Sequence, residues 1–179
     1  MIPFPKKKYQ IIYADPAWTF RTYSSKGQKR SATRHYNTLS IDDICNLSVT
    51  DISDDNCILF MWAIDSMLPE AFRVIEAWGF TYKTVGFTWA KLNKKSEGFF
   101  NGLGYWTRAN PEMCLLATKG KPKRLSKSVP QLVTEKRREH SRKPDSIRNH
   151  IINLCGDIPR IELFARQKVE GWDSWGDEL

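Results

Sequence analysis

The feature that most restricts the fold of this chain is a short apolar run with an abrupt end: Tyr9-Gln10-Ile11-Ile12-Tyr13-Ala14, then Asp15-Pro16. The run is rich in β-branched and aromatic residues and apolar at nearly every position rather than at every second one. That pattern fits a strand buried on both faces, the condition of a parallel strand inside an α/β sheet. Proline has no N–H to give to a ladder and keeps the residue before it out of the helical region, so the strand stops with Asp15 extended. Ligands of open α/β sheets bind outside the carboxyl ends of the strands. The run therefore predicts a carboxylate, and close behind it the indole of Trp18, at a ligand-binding edge.

The rest of the chain supplies a sheet for that strand. Ser40 reads as an N-cap with Asp42 and Asp43 in the first turn, opening a short helix to Leu47. Residues 57–63 form a second buried strand, and residues 68–78 carry apolar side chains at helical spacing before Gly79. A third strand is expected over 81–89 and a fourth over 113–118. Pro144 at the first helical position opens a helix over 145–154, closed by Gly156. The last strand is expected over 160–165, with Trp172 and Trp175 in a tail. Residues 21–34, 96–110 and 128–142 read as loops. Strands alternating with helices give an α/β sheet covered on both faces, and 179 residues are expected to form one domain, 1–179.

Charge says less by itself. With 28 Lys and Arg against 20 Asp and Glu, the net charge of +8 fits a polyanionic partner or a solvated basic face, and composition does not separate the two. Two basic stretches, 26–34 and 119–142, are expected to flank the ligand edge as phosphate-contacting walls, with Tyr36 and Trp106 as stacking surfaces. Cys45, Cys57, Cys114 and Cys155 show neither a C-x-x-C pair nor histidines at zinc-ligand intervals, so free thiols and no metal are expected. The start MIPFPKKK has no apolar core of a signal sequence, and CILFMWAI is far short of the ~18 residues of a membrane span. The chain is read as intracellular and cytoplasmic, without a membrane partner.

Alone, Asp15-Pro16-Ala17-Trp18 has two readings. Structurally, it is a strand end with an aromatic cap. Chemically, it suits an exocyclic amine, a poor nucleophile because its lone pair is delocalised into the ring. Asp15 and the Pro16 carbonyl can each accept one N–H and draw the nitrogen towards a tetrahedral shape, leaving the third direction open to an electrophile. The Trp18 ring would offer a face to a flipped base, a stacking contact of ~1–3 kcal/mol.

The surrounding blocks bear on that choice. D-P-P-[WYF] is the catalytic signature of amino-directed adenine methyltransferases, and Ala14-Asp15-Pro16-Ala17-Trp18 resembles its A-D-P-P-W form. His35-Tyr36-Asn37-Thr38-Leu39-Ser40 looks like an H-Y-x-T-[ML]-S segment, and Phe60-Met61-Trp62 like the strand after it. Gly104-Tyr105-Trp106-Thr107-Arg108 with Glu112 resembles a second active-site loop. Arg142-Lys143-Pro144-Asp145, Glu162-Leu163-Phe164-Ala165-Arg166 and Gly171-Trp172-Asp173-Ser174-Trp175-Gly176 follow in order. Over nearly its whole length the chain resembles the MT-A70-like family of adenine-N6 methyltransferases.

The resemblance implies an α/β, Rossmann-like S-adenosylmethionine-dependent methyltransferase with a single, mostly parallel sheet flanked by helices and a permuted motif order, the catalytic block first. That order accounts for the absence of G-x-G-x-x-G after the first strand. By the same resemblance, Asp15, Pro16 and Trp18 carry catalysis. Lys143, Glu162, Phe164, Arg166, Asp177 and Glu178 hold S-adenosylmethionine, with Lys143 at its carboxylate. Ala17, Lys29, Arg30, Arg34, Tyr36, Trp106, Arg108 and Glu112 face the substrate. The implied substrate is adenine in nucleic acid, DNA before RNA because the compact chain looks like bacterial and phage members. The same reaction on RNA and a non-catalytic nucleic-acid-binding subunit are the alternatives, and a homodimer or a second methyltransferase-like subunit is the implied protein partner. Two departures stand out: Ala17 replaces a proline that stiffens the turn, and Asp177, which can accept but not donate, replaces an asparagine.

Overall fold

The computed structural model describes residues 2–19, 39–138, 142–177 and 179. In chain order its elements are β1 (Tyr9–Ala14), α1 (Ile41–Cys45), α2 (Val49–Ile52), β2 (Ser53–Ala63), α3 (Leu68–Ala77), β3 (Thr81–Leu92), β4 (Glu112–Lys119), β5 (Leu132–Lys136), α4 (Ser146–Cys155), β6 (Arg160–Leu163) and β7 (Asp173–Trp175). The strands form one sheet in the order β5-β3-β4-β2-β1-β6-β7. β1 pairs in parallel with β2 and β6, β6 with β7, and β3 with β5, whereas β4 lies antiparallel between β2 and β3. The sheet is thus mixed, mostly parallel, with β4 running against the other six strands.

Alternation along β1 sorts its side chains to the two faces. Ile12 and Ala14 join a core with Ile44 of α1, Val49 and Ile52 of α2, and Ala71, Val74 and Ile75 of α3. Ile11 and Tyr13 join the other core, with Ile147, Ile151 and Cys155 of α4. A strand buried on both sides is what its continuous apolar run encodes. Ser40 caps α1 reciprocally: its Oγ accepts from the Asp43 N–H at 3.1 Å, and Asp43 accepts from the Ser40 N–H at 3.3 Å. Fully buried Trp78, just past α3, donates its indole N–H to the Ile44 carbonyl at 2.8 Å, tying α3 to α1. All four cysteines are free, and among the described residues no helix is long and apolar enough to cross a membrane.

Several expected boundaries shift for identifiable reasons. Pro144 precedes the N-cap Asp145 instead of opening α4, because the first turn is closed by bonds from Ile147 N–H to Pro144 and from Arg148 N–H to Asp145, one residue tighter than an α-helix. The strand expected over 160–165 stops at Leu163, since Phe164 takes a φ of 60° that no strand accommodates. β5 lies inside a segment read as loop, and β7 inside the tail.

Topology places the functional edge. From β1 the chain passes to β2 on one side and returns through β6 on the other, so the C-terminal ends of β1 and β6 bound a crevice at a switch point. Because β4 runs the other way, its first residue, Glu112, lies at this edge and its last, Lys119, at the opposite one. This corrects the expectation for the basic stretch 119–142: Lys119, Lys121, Lys123, Arg124 and Lys127 lie towards the edge away from Asp15, and only its end, after β5, returns to the crevice.

Candidate active site

Four charged side chains from four segments line up at the C-terminal edge. Asp15 directly follows β1, and Lys143, 128 residues later, donates to both of its oxygens at 2.9 and 3.0 Å. The same ammonium lies 3.2 Å from Glu112 Oε2, and Lys91, near the end of β3, donates to Glu112 Oε1 at 2.8 Å. The row Asp15–Lys143–Glu112–Lys91 alternates in sign. Only 11% of the Lys143 side chain is exposed, and its ammonium also lies 5.4 Å from the centre of the Trp62 ring.

Burial and pairing oppose each other here, and pairing wins. Burial alone would raise the Glu112 carboxyl, but the Lys143 and Lys91 ammonium groups outweigh it and hold it down to about 2. Burial would lower Lys143, yet Asp15 and Glu112 together push it above the usual lysine range. Beneath the row, burial raises the thiol of Cys114 well above its usual value, and the charge of Asp15 adds to this. The edge therefore holds the Lys143 cation against the Glu112 carboxylate across the neutral pH range.

The turn after Asp15 keeps its shape without a second proline. The Trp18 N–H donates to the Pro16 carbonyl at 2.8 Å, folding the chain tightly around Ala17, and the Ala17 carbonyl accepts from the Leu39 N–H at 3.2 Å. One lone pair of the Pro16 carbonyl is thus already engaged and one remains. Trp18 is 6% exposed, packs in the core and donates its indole N–H to the Trp62 carbonyl at 3.2 Å. In this structure its ring packs under the turn, against the core.

The residues expected around a cofactor divide. Glu162 is buried on β6, with Arg148 donating to both carboxylate oxygens at 2.8 Å. Burial raises its carboxyl against the pull of Arg148. Arg148 also reaches Asp145, which Arg138 and Arg142 share, and these pairings hold Asp145 down to about 2, the bond from Arg138 first. Phe164 stands half-buried at the end of β6, edge-on to Trp175 at 5.6 Å. Arg166 and Asp177 are exposed near the same edge. Glu112 joins the charged row, whereas Trp106 and Arg108 lie exposed on the loop between β3 and β4. Lys29, Arg30, Arg34, Tyr36 and Glu178 lie outside the described residues. Sequence reading missed Lys91 and Arg148; the only signals were a lysine just after the apolar strand that contains Trp89 and an arginine on the core-facing side of α4.

The mixed α/β sheet, with an Asp-Pro turn at its switch point, is that of a Rossmann-like methyltransferase fold, and the family match assigns it. The MT-A70 family matches residues 9–178, and the chain belongs to it. Among proteins it is similar to, the type II methyltransferase M.MunI of a Mycoplasma species is 37% identical over 192 residues, covering 98% of this chain and 79% of that protein. A putative MT-A70-like N(6)-adenosine-methyltransferase of Medicago truncatula and an MT-A70-like N(6)-adenosine-methyltransferase of Arabidopsis thaliana are each 27% identical across 96% of the chain. The chain spans 26% and 24% of those two plant proteins.

Proposed function

We propose that this chain transfers the methyl group of S-adenosylmethionine to the N6 amine of adenine in nucleic acid, DNA in preference to RNA, and that Asp15 is the residue that holds the amine. The observation that carries the reading is the Asp15 carboxylate, fixed by Lys143 at the crevice between β1 and β6 in a member of the MT-A70 family. The strands from β1 to β7 share one sheet, which supports reading 1–179 as one methyltransferase domain. DNA is preferred because the chain is 37% identical to the type II methyltransferase and 27% identical to the plant N(6)-adenosine-methyltransferases.

The donor set at this edge fits the cofactor by its chemistry. Lys143 suits a carboxylate, the exposed carboxylate of Asp177 can accept from ribose hydroxyls, and the half-buried ring of Phe164 suits a purine. Glu162 would act on the cofactor side through Arg148, its present partner. When bound, S-adenosylmethionine supplies an electrophilic methyl on a positively charged sulfur that leaves as a neutral thioether. The chain supplies orientation and charge. Asp15 accepts one N–H of the amine and the free lone pair of the Pro16 carbonyl the other, which strips the lone pair from ring conjugation and aims it along the remaining direction. The proton released after transfer has an acceptor in Asp15 or in water beyond it. Ala17 keeps the Pro16 carbonyl aimed through the Trp18 bond, a looser restraint than a proline ring.

Matched DNA and RNA oligonucleotides incubated with labelled S-adenosylmethionine, followed by nucleoside analysis, test this reading. N6-methyladenine in the DNA at the higher rate is expected. Label on cytosine would overturn the base assignment, and a faster reaction on RNA would overturn the preference. A homodimer or a second methyltransferase-like subunit is the further part of the proposal; a particle of monomer mass that is fully active would remove it.

A further inference from the structure

The loop between β3 and β4 ends in a tip whose geometry calls for a ligand. Thr107 N–H donates to the Tyr105 carbonyl at 2.8 Å, closing a three-residue turn on Trp106, whose φ is 67°. A γ-turn with a positive central φ is the rare, strained form, and a glycine at its centre would relieve it; here the centre is a tryptophan, 93% exposed. The turn exists because residue 104 is glycine: a Cβ there would sit 1.9 Å from the Thr107 carbonyl oxygen.

The tip is not a loose end. Gly102 N–H donates to the Ala109 carbonyl at 2.9 Å. The Asn110 side chain clamps Lys91 at both its N–H and its carbonyl, each at 2.9 Å, and also binds the Phe100 carbonyl. Arg137 lies 3.5 Å from the centre of the Phe100 ring. Two residues beyond Asn110 stands Glu112, in the charged row with Lys143 and Asp15, so the tip is built rigidly onto the catalytic edge. Arg108 in the tip and Lys94 and Lys95 in the preceding turn of the same loop are exposed, a complement to phosphate, and an exposed aromatic on a loop that carries cations matches a stacked base.

We propose that Trp106 is a wedge that enters the base stack of duplex DNA at the position the target adenine leaves, making the paired strand a substrate. The proposal rests on the methyltransferase reading of the Asp15 edge. An adenine amine inside a duplex cannot reach Asp15 at the end of β1; the base must leave the stack, and a planar side chain filling the gap offsets the stacking lost. A rigid, strained, exposed indole is poised for that insertion, and Trp18, buried in the core, is not.

The test compares methylation of one adenine in a duplex with the same adenine in the single strand, for the parent chain, Trp106→Ala and Trp106→Phe, with the thermal midpoint and the mass in solution recorded for each. The duplex-to-single-strand rate ratio is expected to fall about tenfold or more in Trp106→Ala, with Trp106→Phe between, and to recover when the adenine is placed opposite an abasic site. An unchanged ratio overturns the wedge, whether both rates fall together or neither does. A changed particle mass with an unchanged ratio assigns the tip to a protein partner and overturns it too. A parent chain that methylates neither strand form overturns the methyltransferase reading and the wedge with it.

Discussion

The two edges of the sheet carry similar charge and use it in opposite ways. At the N-terminal edge of the strands the lysines are solvated: Lys7 pairs with Asp173 at 2.7 Å, but its side chain is 53% exposed, and Lys121, Lys123, Arg124 and Lys127 are exposed. Exposed pairs of that kind contribute about 0–1 kcal/mol each. At the C-terminal edge the charges are drawn in from water and matched, Asp15–Lys143–Glu112–Lys91 in one row and Glu162–Arg148 beside it, with the more exposed Asp145 at the outer end. A net charge of +8 therefore does not locate a site. What locates it is the cost of desolvating charge, which a fold bears where positioned charge is put to use.

That contrast can be broken in steps. The largest effect is expected at Lys143, where Lys143→Met leaves Asp15 and Glu112 without their shared cation. Methylation should fall about 10²-fold or more, with the KM for S-adenosylmethionine raised and the thermal midpoint lowered. A variant of near-parental rate would separate the row from function.

Next come two glycines, one at each edge. Gly104→Ala forces the tip of the β3–β4 loop to rearrange, so duplex methylation should drop about tenfold with little change in stability. Gly120→Ala, at φ 65° with a Cβ 2.1 Å from the Asp55 carbonyl, should cost about 1–3 kcal/mol of stability while the folded fraction keeps its rate. Equal loss of activity in both would erase the distinction between the edges.

Acid offers a milder probe. The folded-state pKa of Glu112 is depressed to about 2, so its contribution is present above the unfolded value of about 4.3 and is lost as pH falls through the folded one. Stability to urea should decline between about pH 4.5 and pH 2, and Glu112→Gln should flatten part of that decline. The same slope in parent and variant would show that the row adds no pH-dependent stability. Smallest of all is the salt response: neutralising Lys94 and Arg108 together should reduce the salt dependence of oligonucleotide binding by about one unit of slope per phosphate contact, and neutralising Lys121 and Lys123 should leave it near the parental value.

The sequence was most readable where one short segment determines its own fate. The run 9–14 with its Asp-Pro stop, the Ser40 cap and the apolar stretch at 57–63 all stand as elements or caps near their expected places. β5 was illegible because it has one buried residue, Val133, with charged and exposed neighbours, and its parallel partner β3 is far away in sequence. β7 is three residues long and was hidden among tail aromatics. At the site the acid was legible and its environment was not: the Asp15–Lys143 contact joins positions 128 apart, and nothing near Lys91 announces Glu112. Trp18 shows the limit of residue type, since an indole beside a strand end suits a base and a core equally well; here it is 6% exposed and packs in the core.

Nucleoside analysis after incubation with labelled S-adenosylmethionine and adenine-containing DNA, parent beside Asp15→Ala, tests the central claim most directly. Label should appear as N6-methyladenine with the parent chain, and the folded variant should lose at least about 10²-fold of the rate. A variant that methylates adenine as fast as the parent would contradict the claim that the carboxylate at the end of β1 holds the amine.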